Sequence, residues 1–289
     1  MKAQTSSRIM LLVSMIIFGT IGIFTKNINA SPAMISMFRG AIGTLFLLLA
    51  SWVTGSRLSF KAIGKNIFLL SLSGVFIGLN WMLLFEAYNY ASVSVVTICY
   101  YFAPVFVIIL AALFLKERLS LVKIICIIFS LIGVLFVTDI INGNSLPVFA
   151  SKGVIYGLCA ALLYSFVVII NKFIKNVSAY ERTVTQLFFA TVAAIVFIYY
   201  NSEFVLNRLD TTSIILLIVL GIFHTGIAYT MYFGAMKNLR GQTIAFCSYI
   251  DPVVAILLSS FVLREPLDAF TIIGAVLIFG SALINEAKG

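Results

Sequence analysis

The chain has 289 residues, of which 62% are hydrophobic and only 10% charged, and its mean hydropathy is +1.14. Soluble domains are usually about half apolar and about a quarter charged, so the composition excludes an ordinary soluble protein and indicates an integral membrane protein. The net charge of +9 therefore calls for no nucleic-acid partner, because Lys and Arg flanking membrane spans account for it. All four cysteines fall inside apolar segments, which favours neither a disulfide framework nor a metal site.

Apolar segments long enough to cross a bilayer follow one another along the whole chain. Ten spans are predicted, at 8–25, 33–54, 66–86, 92–115, 121–139, 152–170, 182–200, 213–234, 242–263 and 269–285. The longest loop, 139–151, is rich in turn residues. It divides the chain into a first five-helix repeat over residues 1–142 and a second over 143–289, which together form one structural unit.

The fourth and ninth spans repeat one pattern at an offset of 148 positions. SVSVVTICYYFAPVFVIILAALFLKERL begins at Ser92, and GQTIAFCSYIDPVVAILLSSFVLREPL begins at Gly241. The matched pairs are Cys99 and Cys247, Tyr101 and Tyr249, Pro104 and Pro252, Glu117 and Glu265, and Leu119 and Leu267. Proline removes a backbone N–H and disturbs a helix, so Pro104 and Pro252 are predicted kinks. Local ion pairing with Lys116 and Arg118 is the simplest prediction for Glu117.

The basic residues predict the topology. With the N-terminus inside, fourteen of the 19 Lys and Arg residues face the cytoplasm, four face outward and Arg39 lies within a span. This bias places both termini in the cytoplasm. Because each repeat has an odd number of spans, the second must be inverted relative to the first, as in many secondary transporters.

The two five-span repeats, each with a proline in its fourth span and a K-E-R-L or R-E-P-L exit (Lys116 to Leu119, Arg264 to Leu267), resemble the EamA-type transporters of the drug/metabolite transporter superfamily. The resemblance implies a multi-pass plasma-membrane carrier with a central cavity between the repeats. Such a carrier moves a small metabolite or amphipathic solute by alternating access, often outward. No cofactor is expected.

Ionisable groups at membrane depth are costly and are functional candidates by default. Asp251 lies mid-span beside Pro252, where it could bind a cationic group or a proton or could serve as a structural acceptor at the kink. Its counterpart in the first repeat is Ala103. His224, the single histidine, could pair with Asp251 or carry protons, or it could be a satisfied structural group.

Other polar groups are weaker candidates for the cavity. Glu86 ends the third span as a solvated carboxylate or as part of the outer mouth. Arg39 could bind an anionic group or Glu86, or could instead snorkel to the interface or fix helices together. The remaining candidates are the mid-span polar and aromatic residues Asn80, Trp81, Tyr101, Tyr229 and Tyr249, of which Tyr249 is about 200° from Asp251 on an unbent helix and could instead pack helices.

A secondary transporter of a small-molecule substrate is therefore the leading hypothesis, with a slight preference for an amino acid or a cationic solute and with protons as a candidate coupling ion. An intramembrane enzyme would need paired carboxylates or a His/Asp/Ser set near the interface, and one histidine with scattered acids disfavours it. A non-transporting membrane subunit or sensor, a channel, and the choice between monomer and homodimer stay open.

Overall fold

The computed structural model describes residues 2–54, 58–117, 119–137, 148–201, 209–236, 239, 244 and 247–288. Within these ranges the regular structure is entirely helical, which confirms the predicted all-α class. An apolar chain in a bilayer must satisfy its backbone hydrogen bonds internally, and helices do so within each segment.

The helices follow the predicted spans closely. The first half contains α1 (Lys2–Gly19), α2 (Ile21–Lys26), α3 (Pro32–Thr54), α4 (Phe60–Lys65), α5 (Ile67–Tyr90), α6 (Val93–Tyr100), α7 (Ala103–Phe114) and α8 (Leu121–Val137). The second half contains α9 (Val148–Phe173), α10 (Ala179–Asn201), α11 (Thr211–Val219), a π-helical segment (Leu220–Ile227), α12 (Ala228–Met236), α13 (Ile250–Phe261) and α14 (Ala269–Lys288).

Seven described helical segments are long and apolar enough to cross a membrane, and α8, α13 and part of α14 are shorter apolar helices. The predicted loop 139–151 ends earlier than expected, because α9 already begins at Val148; residues 138–147 lie outside the described residues. The predicted start of the ninth span, residues 242–246, is described only at residue 244.

The fourth span is interrupted rather than bent. α6 ends at Tyr100, Tyr101 and Phe102 form a turn, and α7 starts at Ala103 with Pro104 in its first turn. The interruption therefore lies just before the proline predicted as the kink. The first turn of a helix has no intrahelical partner for its N–H groups, so the missing N–H of proline costs nothing there. The ninth span has the same turn at Tyr249.

The helices of the two halves are interleaved. α5 packs on α9, α8 on α14, and α10 on both α3 and α5, while α1 packs on α12 and α13, and α6 contacts both α9 and α13. Two close approaches use the glycines of GVFIG: a Cβ at Gly74 would lie 2.7 Å from the Gln186 carbonyl oxygen, and one at Gly78 equally close to that of Ala190. This motif therefore packs α5 against α10 within one chain.

Polar contacts show which helix ends lie together. At one end, Lys26 at the end of α2 meets Glu265 after α13, and Glu265 also meets Val93 at the start of α6. At the other end, Glu117 after α7 meets Lys172 in the last turn of α9. Since α6 and α7 form one span, these two contacts lie at opposite ends of the bundle.

Candidate functional site

Asp251 lies where the two interrupted spans meet. Pro252 has no N–H, so the Ser248 carbonyl one turn earlier lacks its helical partner. The Tyr101 hydroxyl, from the turn in the other interrupted span, fills this place: it donates to Asp251 Oδ2 at 2.9 Å and lies 3.4 Å from the Ser248 carbonyl oxygen. Asp251 is only half-buried, so its carboxylate keeps accepting capacity beyond Tyr101.

Tyr249 and Asp251 both contact Tyr101, Tyr249 through its ring and Asp251 through its carboxylate. The Tyr249 ring lies 6.2 Å from the Tyr101 ring and 6.3 Å from the ring of Phe279 on α14. Tyr249 therefore belongs to an aromatic cluster that packs α6, α13 and α14 together, while the carboxylate of Asp251 faces Tyr101.

Arg39, on α3, is held inside the bundle. Its guanidinium carbon lies 4.2 Å from the centre of the Trp81 ring and 5.9 Å from that of Phe85. Its Nε donates to Thr225 Oγ1 at 3.0 Å, and only 3% of the residue is exposed. The alternative in which Arg39 snorkels to the interface is therefore wrong. Among the described residues Nε is the one guanidinium nitrogen with a hydrogen bond, which leaves both Nη groups available to an anion.

The predicted contact between Arg39 and Glu86 is not formed within the described ranges. Glu86 Oε2 accepts instead from Asn89 Nδ2 at 3.1 Å, which fits the solvated-carboxylate alternative. Glu86 therefore lies apart from the residues gathered around Asp251.

The charges of Arg39 and Asp251 lie within electrostatic range of each other but do not form an ion pair. Tyr229 and Tyr100 interact electrostatically with both charges. The two opposite charges thus lie near the same phenol groups without pairing with each other, so a ligand that carries both charges would find a complement for each.

Tyr164 of α9 belongs with these phenol groups, and the sequence reasoning missed it. Its ring centre lies 5.9 Å from that of Tyr100, and it interacts electrostatically with Tyr229, Tyr232 and Asp251. It is nevertheless 43% exposed, so it is not part of the packed core. Its position well inside an apolar span, the criterion applied to Tyr101 and Tyr229, could have found it.

His224 does not contact Asp251 as one prediction had it. Its Nε2 shares a hydrogen bond of 2.7 Å with Thr20 Oγ1, and its ring packs edge-on against Phe24 at 4.8 Å. His224 joins the turn between α1 and α2 to the π-helical segment. The same segment contains Thr225, the partner of Arg39, and π-helical turns occur frequently at functional sites.

Asn80 is a fully buried link between helices. Its Nδ2 donates to the Ala160 carbonyl oxygen at 2.6 Å, and its Oδ1 accepts from the Tyr100 hydroxyl at 3.5 Å. Asn80 therefore fixes α5 to α9 and orients Tyr100. Trp81, the next residue on α5, supplies the ring beneath Arg39.

A separate groove of about 360 Å³ lies between α8 and α14. It is lined mainly by apolar side chains such as Ile125, Phe129 and Val276. None of the residues gathered around Asp251 borders it, so the groove is distinct from the candidate site.

Comparison with known proteins agrees with this architecture. The model of the EamA-like transporter family matches the chain twice, over residues 5–139 and 151–286. The chain is 30% identical over 287 residues to the uncharacterized transporter YxxF of Bacillus subtilis (strain 168), covering 99% of this chain and 91% of that protein. It is 27% identical over 266 residues to protein RarD of Salmonella typhi, covering 89% and 86%.

A solved crystal structure shares the fold. It superposes with a TM-score of 0.66 at 17% sequence identity and covers 97% of this chain and 96% of the other. The family match, the relatives named as transporters and the apolar helices lead to one conclusion. This chain belongs to the EamA-like transporter family and is a multi-pass membrane transporter.

Proposed function

We propose that this transporter is a secondary carrier of the plasma membrane that exports a small zwitterionic or cationic metabolite, such as an amino acid, by alternating access. The observation that carries the proposal is the pair of opposite charges, Arg39 of the first half and Asp251 of the second, which lie near the same tyrosines without pairing with each other. Outward transport is what the family resemblance implies.

The arrangement of the helices supports ten spans in two inverted repeats, residues 1–142 and 143–289. Each contact between two spans has a counterpart between the spans five places further along, with span one following span ten. The contact of α5 with α9, spans three and six, corresponds to that of the α11–α12 span with α1, spans eight and one. The contact of α6 with α9, spans four and six, corresponds to that of α13 with α1, spans nine and one.

Lys26, at the end of the first span, lies at the same end of the bundle as Glu265 and Val93, which mark the end of the ninth span and the start of the fourth. Lys172, at the end of the sixth span, lies at the opposite end, beside Glu117, which follows the fourth span. Corresponding spans thus run in opposite directions, as alternating access by rocking of repeats requires.

The environment of each charge favours a zwitterion. The Nη groups of Arg39 can grip a carboxylate in the planar, two-pronged geometry that guanidinium provides. The half-buried carboxylate of Asp251 can accept from an ammonium group, and surrounding aromatic faces also attract cations. Because Trp81 and Thr225 fix the guanidinium and Tyr101 fixes the carboxylate, little side-chain entropy is lost on binding.

The experiment is a binding and flux comparison on purified protein in proteoliposomes. The ligand panel contains amino acids, their decarboxylated amines and their N-acetylated forms, so that each charge is removed in turn. Asp251→Asn should lower the affinity for the ligands that carry an ammonium group, and Arg39→Gln for those that carry a carboxylate. Each loss should be about 10- to 100-fold, the value of a hydrogen bond to a charged group.

Asp268→Asn is the matched control. It makes the same change from carboxylate to amide, but Asp268 accepts from the Thr271 N–H at 2.6 Å as a helix cap, a role that asparagine also fills. We expect it to keep normal affinity. Absence of flux for the whole panel, together with unchanged ligand binding in Asp251→Asn, would refute the proposal.

Proton coupling through Asp251 is the corresponding proposal for the driving force. Dissipating the proton gradient should abolish concentrative transport while leaving downhill exchange intact. Concentrative transport that persists without the gradient would remove the proton from the mechanism.

A further inference from the structure

The turns that follow the two proline-bearing helices, Leu115–Glu117 and Leu263–Glu265, have the same conformation 148 residues apart. Lys116 and Arg264 both adopt φ of 55°, a left-handed conformation that non-glycine residues seldom take. The Glu117 N–H returns to the Ala111 carbonyl at 3.3 Å, and the Glu265 N–H returns to that of Ser259 at 3.2 Å. Because this conformation is energetically unfavourable and is formed twice at matched positions, we expect the two turns to have the same structural role.

The common result is the direction of the two glutamates. Glu117 Oε1 accepts from Lys172 Nζ at 3.1 Å, and its Oε2 accepts from Lys123 Nζ at 3.4 Å. Glu265 pairs with Lys26. Lys26 ends α2 and Lys172 lies in the last turn of α9, so each glutamate reaches the end of the first span of the other half. The predicted local pairing of Glu117 with Lys116 and Arg118 does not describe these contacts; Arg118 itself lies outside the described residues.

The two cross-half ion pairs lie at opposite ends of the fourth span, whose Tyr101 donates to Asp251. Val93, at the start of the fourth span, donates its N–H to Glu265 Oε2 at 2.8 Å, and Glu117 follows the end of the same span. Each pair therefore joins the two halves of the chain at one end of the bundle, where the proposed alternating access places a mouth of the central cavity.

We propose that Lys26–Glu265 and Lys172–Glu117 are the two latches of the transport cycle, one closing each mouth. The proposal rests on alternating access between the two halves. Opening a mouth separates the first span of one half from the proline span of the other and must break the ion pair there. Both pairs are formed together in this structure, so opening either mouth costs one pair while the other stays formed, and the matched pairs disfavour a state that is open at both mouths.

The two latches differ in strength. The Glu265 and Lys26 side chains are 12% and 28% exposed, and Glu265 also accepts from Ser259 Oγ and the Val93 N–H. The Glu117 and Lys172 side chains are 41% and 47% exposed, so water screens this pair strongly. The Lys26–Glu265 mouth, which the predicted topology places outside, is therefore the more firmly closed, and the resting state opens more readily at the Glu117 mouth.

The test measures access to the central space without any substrate. Tyr164→Cys provides the reporter, in a background where the accessible Cys159 and Cys247 are alanine, and a membrane-impermeant maleimide is added to either side of vesicles of known orientation. Glu265→Gln and Lys26→Gln should each raise labelling from the Glu265 side by about tenfold, because each removes a hydrogen bond between charged groups at a carboxylate that is only 12% exposed. Glu117→Gln should raise labelling from the opposite side by only about two- to fivefold.

Lys152→Gln is the control for charge. It removes one positive charge at the Glu265 end, where Lys152 lies 5.6 Å from the Tyr90 ring centre and forms no ion pair within the described part of the chain. Unchanged labelling in both Lys26→Gln and Glu265→Gln, or an equal increase in Lys152→Gln, would overturn the proposal. If labelling changes as expected but the protein transports none of the ligands, the transport function is refuted and the assignment of the two ion pairs as latches stands.

Discussion

Replacing Gly19 with alanine tests how closely the first span approaches the candidate site. Gly19 is the last residue of α1. A Cβ there would lie 2.6 Å from the Asp251 carbonyl oxygen and 2.7 and 2.8 Å from atoms of the Val254 side chain. Non-bonded carbon contacts are normally about 3.5–4.0 Å. Helix α1 must therefore move away from α13, and backbone rather than a flexible side chain is what blocks the new methyl group.

The cost follows from this geometry. Overpacking typically destabilises a protein by about 1–3 kcal/mol. Alanine gains up to about 1 kcal/mol over glycine in a helix interior, but Gly19 lies at a helix end, where this gain is small. We expect a net loss of about 1–2 kcal/mol, which corresponds to a fall in Tm of about 2–8 °C at this chain length. Ligand affinity should fall as well, because the displaced contact includes the backbone of Asp251.

The assay is thermal unfolding in detergent, combined with ligand titration by thermal shift. Gly280→Ala is the matched control, because Gly280 lies within α14 and a Cβ there would meet nothing within 4 Å. This control should leave Tm unchanged or raise it, because alanine favours the helix over glycine by up to about 1 kcal/mol. Ligand affinity should not change. If Gly19→Ala unfolds and binds like the unsubstituted protein, the reasoning about close approach at Asp251 is wrong.

Three further predictions concern single side chains. Asn80→Ala removes the buried donor to Ala160 and the acceptor for Tyr100, so we expect a loss of about 1–3 kcal/mol in thermal unfolding. Asp210→Ala removes the acceptor of the N–H at the start of α11 and should lower the Tm in the same thermal-unfolding measurement. The hydrogen bond from Lys172 lowers the pKa of Glu117 below 4.5. The ion pair therefore stabilises the folded state fully above pH 4.5, and this stabilisation is lost as pH falls through the lowered pKa. The Tm difference between the unsubstituted protein and Glu117→Gln should therefore be small at pH 7, decrease with salt and vanish in acid; a difference that grows on acidification would contradict this sign.

Much of the helix pattern could be predicted from the sequence, because apolar length and loop chemistry are local signals. The repeated proline motif likewise located the interrupted spans, and the depth of Asp251 beside Pro252 predicted it as a candidate. The sequence did not predict the turn at Tyr101, since a proline in a first helical turn and one in a kinked helix have similar flanking sequences.

The partners of the polar residues could not be predicted. The contacts of Arg39 with Trp81 and Thr225, and of Glu117 with Lys172, join residues far apart in the chain. Such pairs depend on how the helices of two halves interleave, which hydrophobic periodicity does not encode. The sequence offered nearby partners for Glu117, but the left-handed turn at Lys116 directs its side chain to another helix.

The repeats are matched in backbone but not in chemistry, and this difference explains why the site lies on one half. Ala103 and Asp251 occupy corresponding positions in the interrupted spans. The Ala103 carbonyl is covered by the hydroxyl of Ser165 from α9 at 3.0 Å, so this copy is buried and satisfied. At the other copy, the first span presents Gly19, which has no side chain to donate, and the hydroxyl of Tyr101 crosses from the first half to Asp251. The two equivalent interruptions thus lie side by side, one closed by packing and the other carrying the half-buried carboxylate at which we propose that the ligand binds.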